Sequence, residues 1–206
     1  MSNRKKYTLI SIFVFILIVA LLVILTLILN KDSSNNHNTT EKKLNNIIQK
    51  SNVKTLGKQG SKNQIVVFMD YRCPDCYQFH KQAQKRFNYL IEQDRINYTE
   101  VPYRVIDNKS NQYASLDKSA SKYLNDMEYI NFKDKAYQLA MTKDSNVKNA
   151  VSQFNQSTQK KILNDYDKNY KIDNSLGKSI NVHSTPTIFV NGKKVQSFNE
   201  LNEELK

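Results

Sequence analysis

One stretch constrains the fold more than any other. Ile65-Val66-Val67-Phe68-Met69 is wholly apolar and runs into Asp70-Tyr71-Arg72-Cys73-Pro74-Asp75-Cys76. A short apolar run, β-branched at its start and bounded by polar residues, fits a strand covered on both faces, as in a sheet with parallel neighbours. The stretch after it is helical, because Cys76, Phe79, Ala83, Phe87, Leu90 and Ile91 fall on one stripe. Pro74 suits the first helical position, where its missing N–H costs nothing. Cys73 and Cys76 are the only cysteines in 206 residues. A thiolate at a helix N-terminus is stabilised by the free N–H groups and the helix dipole. The second thiol lies one turn on and can attack back to close a disulfide. So small a ring restricts the unfolded chain little, which argues against a structural staple. The pair reads as redox-active.

The N-terminus bears on the compartment. Arg4-Lys5-Lys6 precede Tyr7–Leu29, a run without a charged residue. A bilayer-spanning helix needs about 20 apolar residues, and a basic cluster stays on the inner side. The expectation is a cytoplasmic basic end over 1–6, an uncleaved transmembrane anchor over 7–29, and the remainder outside. A cleaved signal peptide is the competing reading, but no small-residue cleavage site follows the run. Outside the cytoplasm, disulfides persist. Residues 30–49 are expected to form a polar linker and short helix, with Asn30–Thr40 a flexible tether and Leu44, Ile47 and Ile48 at helical spacing.

The domain proper is expected over 50–206. A first strand is read at 53–57 and a further one within 95–106, the latter completing a βαβ unit with Ile65–Met69. About 107–180 lacks strand signals and carries several helical stripes, a helical insertion too long for a loop. Thr185-Pro186-Thr187-Ile188-Phe189-Val190-Asn191-Gly192 then places Asn-Gly between two apolar pieces, a hairpin signal. Ser197 and Glu200 cap a closing helix.

The net charge is +12. The lysines are scattered, without aromatic interleaving or a nucleic-acid motif, so nucleic acid is not an expected partner. Zinc is a rival for Cys73, Cys76 and His80, but a structural site takes four ligands and zinc would block the redox pair. No metal is expected. His80 reads as an ordinary helix residue, and His183 as a loop residue near the site.

From about Lys50 onward the chain resembles the thioredoxin-fold superfamily. More narrowly, it is similar to the membrane-attached DsbA-like thiol–disulfide oxidoreductases of Gram-positive bacteria. Cys-Pro-Asp-Cys at a strand–helix boundary, the helical insertion and Thr185-Pro186 ahead of an Asn-Gly hairpin carry the likeness. The resemblance implies an α/β thioredoxin-like fold, a central mixed sheet flanked by helices with an inserted helical subdomain. It implies that Cys73 is the exposed nucleophile and Cys76 the buried resolving thiol, together forming a redox-active disulfide. Pro74, Asp75, Thr185 and Pro186 support the site, with Pro186 in a cis peptide and the Thr185 backbone offered to an extended client. The family often has a buried acid six residues before the first cysteine; here that residue is Val67, and Glu100, Asp70 or water are the candidates to take its place. Asp75 opposes ionisation of Cys73, while Arg72 and the helix dipole favour it. The implied task is disulfide formation in reduced exported or surface proteins, with no cofactor beyond the cysteine pair. Reoxidation then falls to a quinone-linked membrane protein or a small-molecule oxidant. A reductase or isomerase with the same residues is an alternative, as is a non-enzymatic binding or chaperone module on the same scaffold.

Overall fold

The structure is a computed structural model that describes residues 3–142 and 146–205. The chain divides into two compact units, Met1–Thr39 and Thr40–Lys206. Helix α1 spans Asn3–Ser51. The expected anchor, Tyr7–Leu29, falls within α1, but only Phe13 and residues 15–27 of it have described side chains. Among the described residues, no helix is long and apolar enough to cross a membrane. The expectation of a flexible tether is corrected, because helix continues through Asn30–Thr40. That stretch holds no glycine or proline to break it, and the Thr39 hydroxyl donates to the Asn35 carbonyl one turn back at 2.9 Å. The second unit also begins earlier than expected, since Leu44 and Ile47 are buried in it.

Five strands form one mixed sheet: β1 (Thr55–Leu56), β2 (Asn63–Met69), β3 (Ile96–Pro102), β4 (Thr187–Val190) and β5 (Lys193–Val195), in the order β1-β3-β2-β4-β5. Only β2 and β3 pair in parallel; the other pairings are antiparallel. β2 lies at the centre, and its alternation feeds two cores. Ile65, Val67 and Met69 pack with helix α2 (Pro74–Glu92) and the insertion, while Val66 and Phe68 pack with Leu44 and Ile47 of α1. This is why the run is apolar without alternation. β4 and β5 meet at Asn191-Gly192, both at positive φ (49° and 78°), as a two-residue hairpin turn requires.

The insertion joins β3 to β4. It comprises α3 (Lys109–Tyr123), α4 (Asp126–Ala140), a 3-10 turn (Val147–Val151), α5 (Gln156–Asp165) and the short α6 (Ser175–Lys178). Asn125 starts α4 with a capping box, its side chain accepting from the Glu128 N–H at 3.0 Å while Glu128 accepts from the Asn125 N–H at 3.1 Å. Closing helix α7 (Phe198–Glu204) starts at Ser197, which accepts from the Glu200 N–H at 3.1 Å.

Candidate active site

β2 delivers the chain to Asp70, and α2 begins a few residues later. Asp70 is buried and works as a clasp. Its carboxylate accepts from the backbone N–H groups of Arg72 (2.8 Å), Val105 (2.8 Å) and Ile106 (3.0 Å). That ties the turn before the cysteines to the loop after β3. Arg72 extends the tie, with Nε donating to Asp107 at 3.2 Å and an η-nitrogen donating to the Ala140 carbonyl. The guanidinium is thus engaged with the insertion rather than free beside the thiols.

Cys73 is the N-cap of α2, and Pro74 takes the first helical position as expected. The Thr185–Pro186 peptide is cis. The Cys73 thiol lies 3.5 Å from the Thr185 carbonyl, so the Thr-Pro loop forms one wall of the site. The expectation of an exposed Cys73 is corrected: only 5% of it is accessible. The Thr185 carbonyl against its sulfur is one of the groups that cover it. Cys76 is wholly buried, and its sulfur accepts from the Asp70 N–H at 3.5 Å. Pro74 and Asp75 are exposed.

The two free thiols differ sharply in acidity. Cys73 is lowered to about 6, first by a hydrogen bond from the Cys76 thiol and further by the Cys76 and Asp75 backbone N–H groups at the helix start, against the effect of burial. Burial, and then the Cys73 hydrogen bond, push the Cys76 thiol far up. One sulfur is ready to attack or to leave at neutral pH, and its partner is held as thiol.

Beneath the pair lies a buried polar cluster that reading the sequence did not assemble. Glu100 on β3 stands in register with Val67 on β2. The absent acid thus has a carboxylate as its neighbour across the strand pair. Glu100 accepts from the Tyr98 hydroxyl at 2.6 Å and the Tyr137 hydroxyl at 3.0 Å, and pairs with Lys133 at 2.7 Å. Lys133 also reaches Asp117 at 3.2 Å, and Asp117 accepts from the Tyr129 hydroxyl. His80, one turn past Cys76, is buried as well. Its Nε2 is 2.7 Å from Asp134 and its Nδ1 is 3.8 Å from Glu100. Burial alone would raise Glu100, but Lys133 and then His80 hold its carboxyl well below the usual carboxylate range. Burial alone would lower His80, yet its bonds to Asp134 and Glu100 carry it above its ordinary value. Both ring nitrogens of His80 therefore face carboxylates, which is not a ligand set shared with the cysteines. Among the described residues, no cluster of acidic, histidine and cysteine side chains is arranged to hold a metal. His183 is exposed in the loop before Thr185.

Residues 29–206 match the thioredoxin family model. The chain belongs to the thioredoxin family. No curated protein matches the sequence at a significant level. Among solved structures, this thioredoxin-family chain is similar to MdbA, a thiol–disulfide oxidoreductase from Corynebacterium diphtheriae, with a TM-score of 0.62 and 17% identity over 76% of this chain and 90% of that one. MdbA from Actinomyces oris gives 0.57 and 22% over 76% and 85%. Oxidised BdbD from Bacillus subtilis gives 0.54 and 19% over 77% and 94%. At these identities the likeness establishes the fold.

Proposed function

We propose that the protein is a thiol–disulfide oxidoreductase of the DsbA type. In this reading it forms disulfides in exported proteins through Cys73 and Cys76. The observation that carries it is the asymmetry of the pair: a thiol lowered to about 6 at a helix start, facing a backbone carbonyl, beside a partner kept protonated by burial. The structural neighbours named as thiol–disulfide oxidoreductases support the same reading.

The chemistry balances as two exchanges. A client thiolate attacks Cys73 Sγ of the disulfide, the S–S bond breaks, and its electron pair stays on Cys76, which takes up a proton. The client's second thiolate then attacks the client sulfur of the mixed disulfide, and Cys73 leaves as a thiolate. The client loses two electrons and the cysteine pair gains them. A leaving thiol of low pKa speeds the second exchange, which suits Cys73. The Thr185 backbone is placed to align an extended client segment beside the sulfur. Reoxidation requires an external acceptor, a quinone-linked membrane partner or a small-molecule oxidant, because the chain has no third cysteine.

We further propose that residues 7–29 anchor the chain in the cytoplasmic membrane, with the catalytic unit on the outer side. Support for this comes from the charge-free run and the basic cluster before it.

The functional test is a pair of assays on the full chain in detergent. Oxidised protein should accelerate disulfide formation in a reduced, unfolded client well above background, and Cys73→Ala should abolish that. Activity confined to insulin reduction would instead assign the opposite direction. Indifference to Cys73→Ala in both assays would leave a binding module.

A further inference from the structure

Opening the Cys73–Cys76 disulfide leaves an electron pair on Cys76, a wholly buried sulfur. Such a thiolate is costly without a nearby proton or positive charge. The acid expected six residues before Cys73 is Val67, so the usual group for moving that proton is absent. Glu100 is its neighbour in the sheet, but Lys133 at 2.7 Å keeps it ionised and makes it a weak proton carrier.

His80 is placed differently. It is four residues past Cys76 on α2, and such residues share a helix face. Both are buried. The groups that face His80 are known from each element packed against it. From α2, Gln84 shares Asp134 with it. From β3 come Glu100, 3.8 Å from Nδ1, and Tyr98, whose hydroxyl binds the same Glu100 oxygen at 2.6 Å. From α4 come Asp134 at 2.7 Å, Lys133, and the Tyr137 ring, tilted by 32° with its centroid 4.6 Å away. Within the cluster around His80, the buried charges are Glu100 and Asp117 against Lys133. They leave one negative charge unbalanced, and a protonated His80 neutralises it. Asp134 is half-buried, so the outer side of His80 reaches water through it. A cavity of about 20 Å³ borders His80, Gln84, Tyr98, Glu100 and Lys133, room for a single water.

We propose that His80 is a positioning residue for the redox pair, holding in the buried cluster, one helical turn from Cys76, the proton that this sulfur takes up when the disulfide opens and regaining it from solvent through Asp134. The assignment rests on the thiol–disulfide exchange reading of the site. In the opening step the client sulfur bonds to Cys73, the S–S bond breaks, and the electron pair passes to Cys76. The imidazolium then becomes neutral as Cys76 becomes a thiol, and solvent restores the lost proton. With His80 already neutral, the cluster one turn along α2 from Cys76 keeps a net negative charge and opposes the departing thiolate.

The test uses reduced glutathione, which opens the disulfide whatever the physiological direction. Oxidised full-length protein in detergent is mixed with glutathione from pH 5 to 8.5, quenched with acid and alkylated. The rate is then divided by the thiolate fraction of glutathione. The corrected rate should fall as pH rises through the His80 titration, which is followed by the imidazole NMR signals. His80→Gln should remove that descent and slow opening in the acidic limb by roughly ten- to a hundredfold. Asp134→Asn keeps the fold's shape at a half-exposed position and should move the descent to lower pH. If His80→Gln fails to fold, as judged by circular dichroism, this second variant decides. A corrected rate that is flat in the wild type, a His80→Gln profile that superimposes on it, or an unmoved descent in Asp134→Asn would overturn the assignment. Client oxidation is scored separately. A protein that shows the profile but never oxidises a client loses the functional reading and keeps the His80 assignment. One that oxidises clients with an unaltered His80→Gln profile does the reverse.

Discussion

Cys73 and Cys76 stand one helical turn apart and differ in acidity because one caps the helix and the other is sealed beneath it. Alkylation of the reduced protein by iodoacetamide should therefore occur at Cys73 with a pH midpoint of about 6, while Cys76 stays unlabelled in the folded state. Peptide mass mapping reads both. Linkage gives the matching stability change. An acid whose folded value is depressed adds stability that is full above its unfolded value, about 8.5, and is lost as pH falls through the folded value. The melting temperature of the reduced protein relative to Cys73→Ser should rise from pH 6 towards pH 8.5. Asp75 is an exposed anion in the first turn of α2. Asp75→His replaces it with a group that favours the neighbouring thiolate, and should raise the reduction potential of the pair in a glutathione titration. An unchanged or lower potential would remove Asp75 as a tuning residue.

Between elements, the site is held by contacts that join the β2–α2 turn and β3 to the insertion. Lys133 on α4 is the hinge of the buried cluster, since it neutralises Glu100 from β3 and Asp117 from α3. Lys133→Met would leave two buried carboxylates without their cation and should cost about 3–5 kcal/mol in urea unfolding. Glu100→Gln should cost less and should soften acid denaturation. The depressed Glu100 value means that its contribution is present at neutral pH and is lost as pH falls below the carboxylate range. Local features were legible in the sequence. The apolar β2 run, the Pro74 helix start, the Asn191-Gly192 hairpin and the Ser197 cap each depend on residues a few positions apart. The cluster was not legible, because His80, Glu100, Asp117, Lys133 and Asp134 come from four elements. A polar residue at Glu100 between Tyr98 and Val101, and a lysine at Lys133 beside Phe132, were its only traces. Burial of Cys73 is not legible for the same reason: the Thr185 carbonyl that packs against its sulfur is 112 residues away. The tether reading of Asn30–Thr40 follows from its polar composition, whereas the helix there is part of one uninterrupted run from Asn3 to Ser51, which spares it the cost of a new nucleus.

Across the whole molecule, a thioredoxin sheet with a helical insertion surrounds one redox pair, and α1 precedes it. If residues 7–29 anchor the chain, placing Arg at both Ile16 and Leu22 should shift the protein from the membrane to the soluble fraction on cell fractionation, because each charge is costly at the bilayer centre. Retention of that double variant in membranes would rule out this anchor. Whether the pair oxidises client thiols turns on how strongly it holds its electrons. Its reduction potential, measured by equilibrating the full chain with glutathione buffers and trapping the thiols, is the most direct test. The Cys73 thiolate, stabilised at about 6, predicts an oxidising pair, with a value more positive than about −200 mV. A value near that of thioredoxin, about −270 mV, would contradict the account and mark the pair as a reductant.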